Sequence, residues 1–149
     1  MTEQQNTVIF FPEQKITDKV HQMVPYAKMI HFQVGFDQNK QYLFQLPFSP
    51  KNIGNTIVPA LHGGLIGGFL ENASVVLYCL NNQDSPIPKV IDFSLDYLRA
   101  GTPEHLYASC ELVRQGRRVA NVTAKAWQVS PEKPVAVARV HLLLNENAS

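Results

Sequence analysis

One long apolar segment dominates this sequence and limits the folds it can adopt. The segment runs from Leu65 to Leu80 and carries a single carboxylate, Glu71, near its middle. A carboxylate on an otherwise apolar helix is costly to bury, so its presence indicates a chemical role. The segment follows His62, and the two glycines after that histidine place bare backbone N–H groups at the start of the predicted helix.

Length, charge and cysteine usage are typical of one ordinary soluble domain. The 149 residues suffice for a hydrophobic core, and the net charge of +1 includes no long run of one sign. We therefore predict a single domain over residues 1–149, with no nucleic-acid partner and no membrane insertion. Cys79 and Cys110 match neither a disulfide framework nor a metal-ligand spacing, which favours a reducing, cytoplasmic location. No metal and no cofactor are predicted.

Hydrophobic periodicity predicts two helices and a series of strands. Residues 1–29 form an N-terminal extension that contains a helix over 13–28, and residues 62–80 form the central helix. Strands are predicted at 30–35, 41–46, 91–97, 105–115, 117–129 and 135–144, with a loop at 47–59. In the strand at 91–97 the odd-numbered residues are apolar and the even-numbered residues polar, which predicts one dry and one wet face.

Small residues alternate along two of the predicted strands. They are Ala120, Val122, Ala124 and Ala126 in one strand and Ala136, Ala138 and Val140 in the other. Small side chains let a sheet curl closely around a helix, and only one long apolar helix is available to be enclosed. The predicted fold class is therefore α+β, with an antiparallel sheet wrapped around one long central helix.

The central helix has two faces at about 100° per residue. The face predicted to meet the sheet consists of Ile66, Phe69, Leu70, Ala73, Val76, Leu77 and Leu80. The opposite face consists of Gly64, Gly67, Gly68, Glu71, Val75 and Tyr78. Because glycine inside a helix costs roughly 1 kcal/mol relative to alanine, the three glycines predict close approach by a ligand or a second helix. His62 falls toward the apolar face, where general-acid catalysis and a structural role in the preceding loop are both open.

The start of the helix and its carboxylate are complementary parts of an acyl-transfer site. The first N–H groups of a helix have no intrahelical partner, so Gly63 and Gly64 can donate to an oxyanion, and Gly63 is the preferred donor. Glu71 is the candidate nucleophile or base. Gly63 and Glu71 are about 12 Å apart along one helix, further than a glutamate reaches. If both act on one carbonyl, they come from two antiparallel copies of the helix, which predicts a homodimer with composite sites.

The sequence resembles the hotdog-fold acyl-CoA thioesterases related to the phenylacetate-pathway enzyme. Three motifs carry the resemblance: His62-Gly63-Gly64 with Glu71 nine positions after the histidine, the segment 92–101, and the Arg-X-Gly-Arg pattern at 114–117. It implies a hotdog fold, a homodimer or a homotetramer built from dimers, and hydrolysis of an acyl-CoA thioester. It also implies that the acid attacks the thioester or activates water while the glycine after the histidine polarises the carbonyl.

The chain departs from the family pattern at two positions, and other residues suit the substrate. Thr56 stands where family members often carry asparagine, with Asn55 one position earlier, and the acid is Glu71 where aspartate is usual. Arginine forks suit the phosphates of CoA, and the candidates are Arg99, Arg114, Arg117 and Arg118, for which a solvated surface is an equal alternative. Gly64, Asn55 and Thr56 complete the predicted substrate-binding set.

Two other functions fit the same fold. The first is a non-catalytic acyl-CoA-binding or regulatory protein, which usually carries an additional partner-binding domain. The second is a hydratase or dehydratase, which is expected to bring a histidine and an acid together. The helix angle separates His62 from Glu71 by about 180°, which favours the thioesterase.

Overall fold

The computed structural model describes residues 8–144, which form one curved antiparallel sheet around a long helix. Seven strands follow each other across the sheet in the order β1, β2, β3, β7, β8, β9 and β6. Their bounds are Phe11–Pro12 (β1), Gln33–Phe36 (β2), Tyr42–Leu46 (β3), Lys89–Tyr97 (β6), Leu106–Gln115 (β7), Val119–Trp127 (β8) and Pro134–Leu143 (β9). A separate two-stranded ribbon pairs Ile53–Asn55 (β4) with Ala60–Leu61 (β5). The predicted antiparallel sheet around a central helix is confirmed.

The leading helix is shorter than predicted and is followed by a second helix. Helix α1 spans Gln14–Met23, and helix α2 spans Pro25–Met29. Val24 between them is extended, because a residue before proline avoids the helical region. The break turns the chain so that α2 packs against the central helix. The first seven residues of the predicted N-terminal extension lie outside the described residues.

The central helix α3 spans Gly63–Asn81, close to the predicted 62–80. Its predicted sheet-facing residues are buried, except Leu80, which is half-buried. Length and hydropathy alone would let α3 cross a membrane, but two-thirds of its apolar window is buried inside the fold. The helix is therefore the core of the protein.

The small residues of β8 and β9 face α3 and are buried, as predicted. Ala124 pairs with Ala138, and Val122 pairs with Val140, so only short side chains project from these two strands toward the helix. The helix contacts β6, β7, β8 and β9, which together wrap around it. The alternation of small residues is thus the sequence feature that makes room for α3.

Strand β6 is one of the two edge strands of the sheet, the other being β1, and its outer backbone edge is unpaired within the described chain. The prediction of a fully dry face was wrong for this strand. Phe93 and Leu95 are half-buried, but Ile91 is 52% exposed and Tyr97 is 53% exposed. A bulge after Val90 shifts the register with β9, and among residues 8–144 no strand pairs with the outer edge of β6.

Candidate active site

Glu71 lies in an open groove of about 480 Å³ between α3, α2 and β6. The floor of the groove is the glycine face of the helix, and its walls are mainly aromatic. The lining residues are Tyr26, Gly64, Gly67, Gly68, Glu71, Asn72, Phe93, Leu95 and Tyr97. Apolar walls around one carboxylate are suited to an apolar ligand with a single reactive group.

The carboxylate of Glu71 makes no hydrogen bond or ion pair with any described residue. Its side chain is half-buried. Its neighbour Asn72 turns its amide to the carbonyl oxygen of Gly68, at 2.7 Å, and so does not hold the acid. A carboxylate that lines a mostly apolar groove without a protein partner is free to act on a bound ligand, so Glu71 is a candidate for chemistry.

The glycine face of α3 is approached closely, as predicted, but by the chain's own side chains. A Cβ on Gly67 would lie 3.2 Å from Cδ2 of Leu95, and a Cβ on Gly68 would collide with the hydroxyl of Tyr26. Further along the same face, Val75 and Tyr78 are buried. The prediction that this whole face lies away from the sheet was therefore wrong, since β6 curls over part of it.

Tyr26 lines the groove but was not among the residues selected from the sequence. It stands one position after Pro25, which begins α2, and its ring lies over Gly68, one helical turn before Glu71. Burial, and then the negative charge of Glu71, raise the pKa of the Tyr26 phenol. The phenol therefore stays protonated and can donate a hydrogen bond across the physiological pH range.

The start of α3 is held by His62, which is the N-cap residue. His62 is extended, with φ of −63° and ψ of 125°, and its Nδ1 accepts the N–H of Gly64 at 3.0 Å. The prediction that this side chain points toward the apolar face was wrong: the ring is exposed, because a capping residue does not follow the helical angles. The ring acts as a cap in this structure and lies outside the groove.

The two glycines at the helix start differ in their hydrogen bonding. The N–H of Gly64 is used by His62, whereas the N–H of Gly63 has no partner among the described residues. The carbonyl of His62, which shares a peptide unit with that N–H, accepts from Leu65 and Ile66. Hydrogen bonds to the carbonyl polarise the N–H of the same unit, so the N–H of Gly63 is a strong donor that is open to a ligand.

Tyr97 fixes the same turn from the other side. Its hydroxyl donates to the carbonyl oxygen of Gly63 at 2.5 Å. Its position on β6 thus links the edge strand to the start of α3. The alternating pattern of the strand predicted Tyr97 only as an apolar-face residue, and its polar role was missed.

Asn55 and Thr56 lie beside the start of α3 but outside the groove. Asn55 accepts the N–H groups of Ile57 and Val58 at 3.0 and 3.3 Å, which folds the loop before β5. Thr56 is exposed in that loop. Neither side chain meets Glu71 within one chain.

The candidate arginines lie at opposite ends of α3. Arg99 follows β6 shortly after Tyr97, which touches Gly63 at the helix start. Arg114 lies on β7, and Arg117 and Arg118 lie in the β7–β8 turn. That hairpin adjoins the far end of α3, where the side chains of Asn82 and Gln115 pair at 3.0 Å. A helix of 19 residues is about 28 Å long, so one chain does not bring the arginines together.

A second groove of about 480 Å³ lies on the outer face of the sheet, on the opposite side from Glu71. Its charged lining residues are Asp96, Glu111, Lys125 and Arg139. Cys110 contributes to its floor, but the thiol turns inward toward Ser74 of α3. Burial raises the pKa of this thiol to about 12, so it remains protonated and unreactive. Both cysteines are free.

Comparisons with known proteins point to one family. The family model described as the acyl-CoA thioesterase N-terminal domain matches residues 54–143, which include α3 and strands β6 to β9. No protein of curated function matches the chain. A solved protein from Chromobacterium violaceum shares 41% sequence identity, with 92% of this chain and 100% of that chain covered and a TM-score of 0.70.

More distant solved structures share the fold. A phenylacetic acid degradation-related protein from Ralstonia eutropha is 18% identical, with 87% of this chain and 98% of that chain covered and a TM-score of 0.71. A protein from Bacillus halodurans, solved with CoA, is 15% identical, with 90% and 93% covered and a TM-score of 0.67. These likenesses show that the chain has the hotdog fold.

Proposed function

This chain belongs to the acyl-CoA thioesterase family, and from that premise we propose that it hydrolyses acyl-CoA thioesters to a free acid and CoA. Glu71 is the nucleophile or general base, and the backbone N–H of Gly63 stabilises the oxyanion. The observation that carries the proposal is the unpartnered, half-buried carboxylate of Glu71 at the bottom of an apolar groove.

Two routes use the same residues. In one, an oxygen of Glu71 attacks the thioester carbon, the C–S bond breaks, and water then hydrolyses the mixed anhydride. In the other, Glu71 takes a proton from a water molecule whose oxygen attacks the carbon; the C–S bond then breaks, and Glu71 returns the proton to the departing sulfur. Both routes place negative charge on the carbonyl oxygen, where the N–H of Gly63 donates.

The active unit is a homodimer in this proposal. Glu71 and Gly63 are about 12 Å apart on one helix, so a single chain does not supply both to one carbonyl. The unpaired edge of β6 lies beside the groove, and an unpaired nine-residue edge is a ready surface for strand pairing. Antiparallel pairing of two β6 strands around a two-fold axis would set the two α3 helices antiparallel and next to each other.

The substrate's two ends need different surroundings. The acyl group suits the largely apolar wall formed by Phe93, Leu95 and Tyr97. In an antiparallel pair of α3 helices, the far end of one helix lies beside the start of the other. Arg99 of one protomer and the arginine-bearing hairpin of the other are then the candidates for the phosphates of CoA. The free cysteines fit a cytoplasmic enzyme.

The test is thiol release from a panel of acyl-CoA and acyl-carrier-protein thioesters, short to long and aliphatic to aromatic. Glu71→Gln keeps the shape of the side chain but removes the charge, and we expect it to fold, assemble and release less than about one-hundredth of the wild-type thiol. Glu111→Gln is the matched control, since it makes the same change on the outer face of the sheet.

Three outcomes decide the proposal. Loss of turnover in Glu71→Gln alone supports it. Wild-type turnover by Glu71→Gln contradicts the role of that acid. Absence of thiol release from every substrate, with acyl-CoA still bound, favours the non-catalytic binding protein.

A further inference from the structure

Tyr26 and Glu71 are two polar groups that face the same groove without partners. The hydroxyl of Tyr26 makes no hydrogen bond with any described residue, and neither does the carboxylate of Glu71. Both side chains are half-buried among apolar walls. Tyr26 thus offers a hydrogen-bond donor and Glu71 an acceptor on the lining of the same open groove, and neither is engaged by another described residue.

We propose that Tyr26 is a positioning residue whose hydroxyl donates a hydrogen bond to the carboxylate of Glu71 and orients it toward the thioester. This inference rests on the proposed thioesterase function. Tyr26 does not touch the reacting atoms, and its effect on the rate passes through the orientation of Glu71.

The geometry of α3 brings the two groups within reach. The hydroxyl of Tyr26 lies over Gly68, where a Cβ would collide with it. Glu71 stands one turn further along the same face, and helical side chains lean toward the helix N-terminus. A Glu71 side chain that leans back over Gly68 would therefore bring its carboxylate to the place where the Tyr26 hydroxyl lies.

The glycine at position 68 has a role in this arrangement. Any larger residue there would push the Tyr26 ring away from the helix, since the ring carbon Cζ lies 2.9 Å from an ideal Cβ position. Glycine in a helix costs roughly 1 kcal/mol relative to alanine. At position 68 this cost is offset because the absence of a Cβ leaves room for the Tyr26 ring.

The charge state of the pair suits donation. Burial and the charge of Glu71 disfavour ionisation of the phenol, so the hydroxyl keeps its proton. A protonated phenol donates one hydrogen bond, and a carboxylate accepts from several donors at once. One oxygen of Glu71 can accept from Tyr26 while the other faces the substrate.

The experiment removes the hydroxyl and keeps the ring. We expect Tyr26→Phe to lower kcat roughly tenfold with KM within about twofold, as for loss of a hydrogen bond to a charged group. Tyr42→Phe is the matched control, because Tyr42 stacks on Phe36 at the β2–β3 end of the sheet and lies outside the groove. Its kcat should equal that of the wild type.

A second background tests whether Tyr26 acts through Glu71. Glu71→Asp shortens the side chain by one methylene, so its carboxylate no longer reaches the Tyr26 hydroxyl. In this background Tyr26→Phe should change kcat less than about twofold. A tenfold loss in both backgrounds, a rise in KM with unchanged kcat, or wild-type kinetics in Tyr26→Phe would each overturn the inference. If Tyr26→Phe has wild-type kinetics but Glu71→Gln is inactive, only the role of Tyr26 is contradicted and the proposed function still stands. If Glu71→Gln is active, the role of Tyr26 and the catalytic role of Glu71 are both contradicted.

Discussion

The imidazole Nδ1 of His62 accepts the backbone N–H of Gly64 at 3.0 Å. This bond occupies the N–H of Gly64, whereas the N–H of Gly63, also at the start of α3, has no partner among residues 8–144. The histidine of the His-Gly-Gly motif thus acts on the site through the backbone, by fixing the turn that presents Gly63. Its ring is exposed and does not line the groove.

The cap predicts a graded response to substitution of His62. His62→Ala removes the acceptor for Gly64 and should lower the free energy of unfolding by about 1 kcal/mol. His62→Asn offers a side-chain acceptor at the same position and should retain most of the stability. Urea denaturation of the three proteins measures the difference. Equal stability of His62→Ala and wild type would show that the cap contributes nothing.

Burial of the Cys110 thiol predicts a loss of stability in alkali. The pKa of this thiol is raised from its ordinary value near 9 to about 12, so the folded state keeps the proton that the unfolded chain releases. The stability is fully present below pH 9 and falls as pH rises from 9 toward 12.

Cys110→Ser removes this titration and keeps a hydroxyl near Ser74. The free energy of unfolding of the wild type should fall relative to Cys110→Ser by up to about 1.4 kcal/mol per pH unit above pH 9. Denaturant titrations at pH 8, 9, 10 and 10.5 measure it. A constant difference across that range would contradict burial of the thiol.

The β6 edge predicts the assembly surface. Ile91 is exposed on this strand, and a lysine there would bury a charge if a second copy pairs with the edge. Ile91→Lys should sediment as a monomer and lose turnover, while the wild type sediments as a dimer or a tetramer. Val113→Lys is the control, because Val113 is equally exposed on the interior strand β7. An Ile91→Lys protein with unchanged mass would place the interface elsewhere.

Much of the fold could be predicted because local pattern and tertiary packing agree in it. The long apolar run gives α3, and the alternating alanines of β8 and β9 give the curved sheet around it. Glu71 could be selected because a single acid on such a helix needs a reason to be there. Its groove confirms that it is accessible at the helix surface.

The rest of the site depends on contacts between distant parts of the chain. Tyr26 reaches Gly68 only because α2 folds back on α3, and no local pattern predicts that return. The orientation of His62 was missed because spacing residues at 100° assumes a helical backbone, whereas the N-cap residue His62 is extended. Leu95 covers Gly67 only because the edge strand β6 bends over the helix, and the periodicity of the sequence does not predict that bend.

The composite site can be tested by removing each half in a different chain. Gly63→Pro deletes the donor N–H, and proline suits the first position of a helix. The extended ψ of 125° at His62 is compatible with a following proline. Gly63→Ala is the control, since it adds a similar Cβ, 3.2 Å from the hydroxyl of Tyr97, and keeps the N–H. Gly63→Pro should lose turnover, and Gly63→Ala should keep most of it.

The most direct measurement is the turnover of a mixture of Gly63→Pro and Glu71→Gln chains after joint refolding at equal concentration. Each variant alone should be inactive. If Gly63 and Glu71 meet across a dimer interface, half of the mixed dimers' sites are intact, and random pairing restores about a quarter of the wild-type rate. A mixture as inactive as its components would contradict a site shared between two protomers.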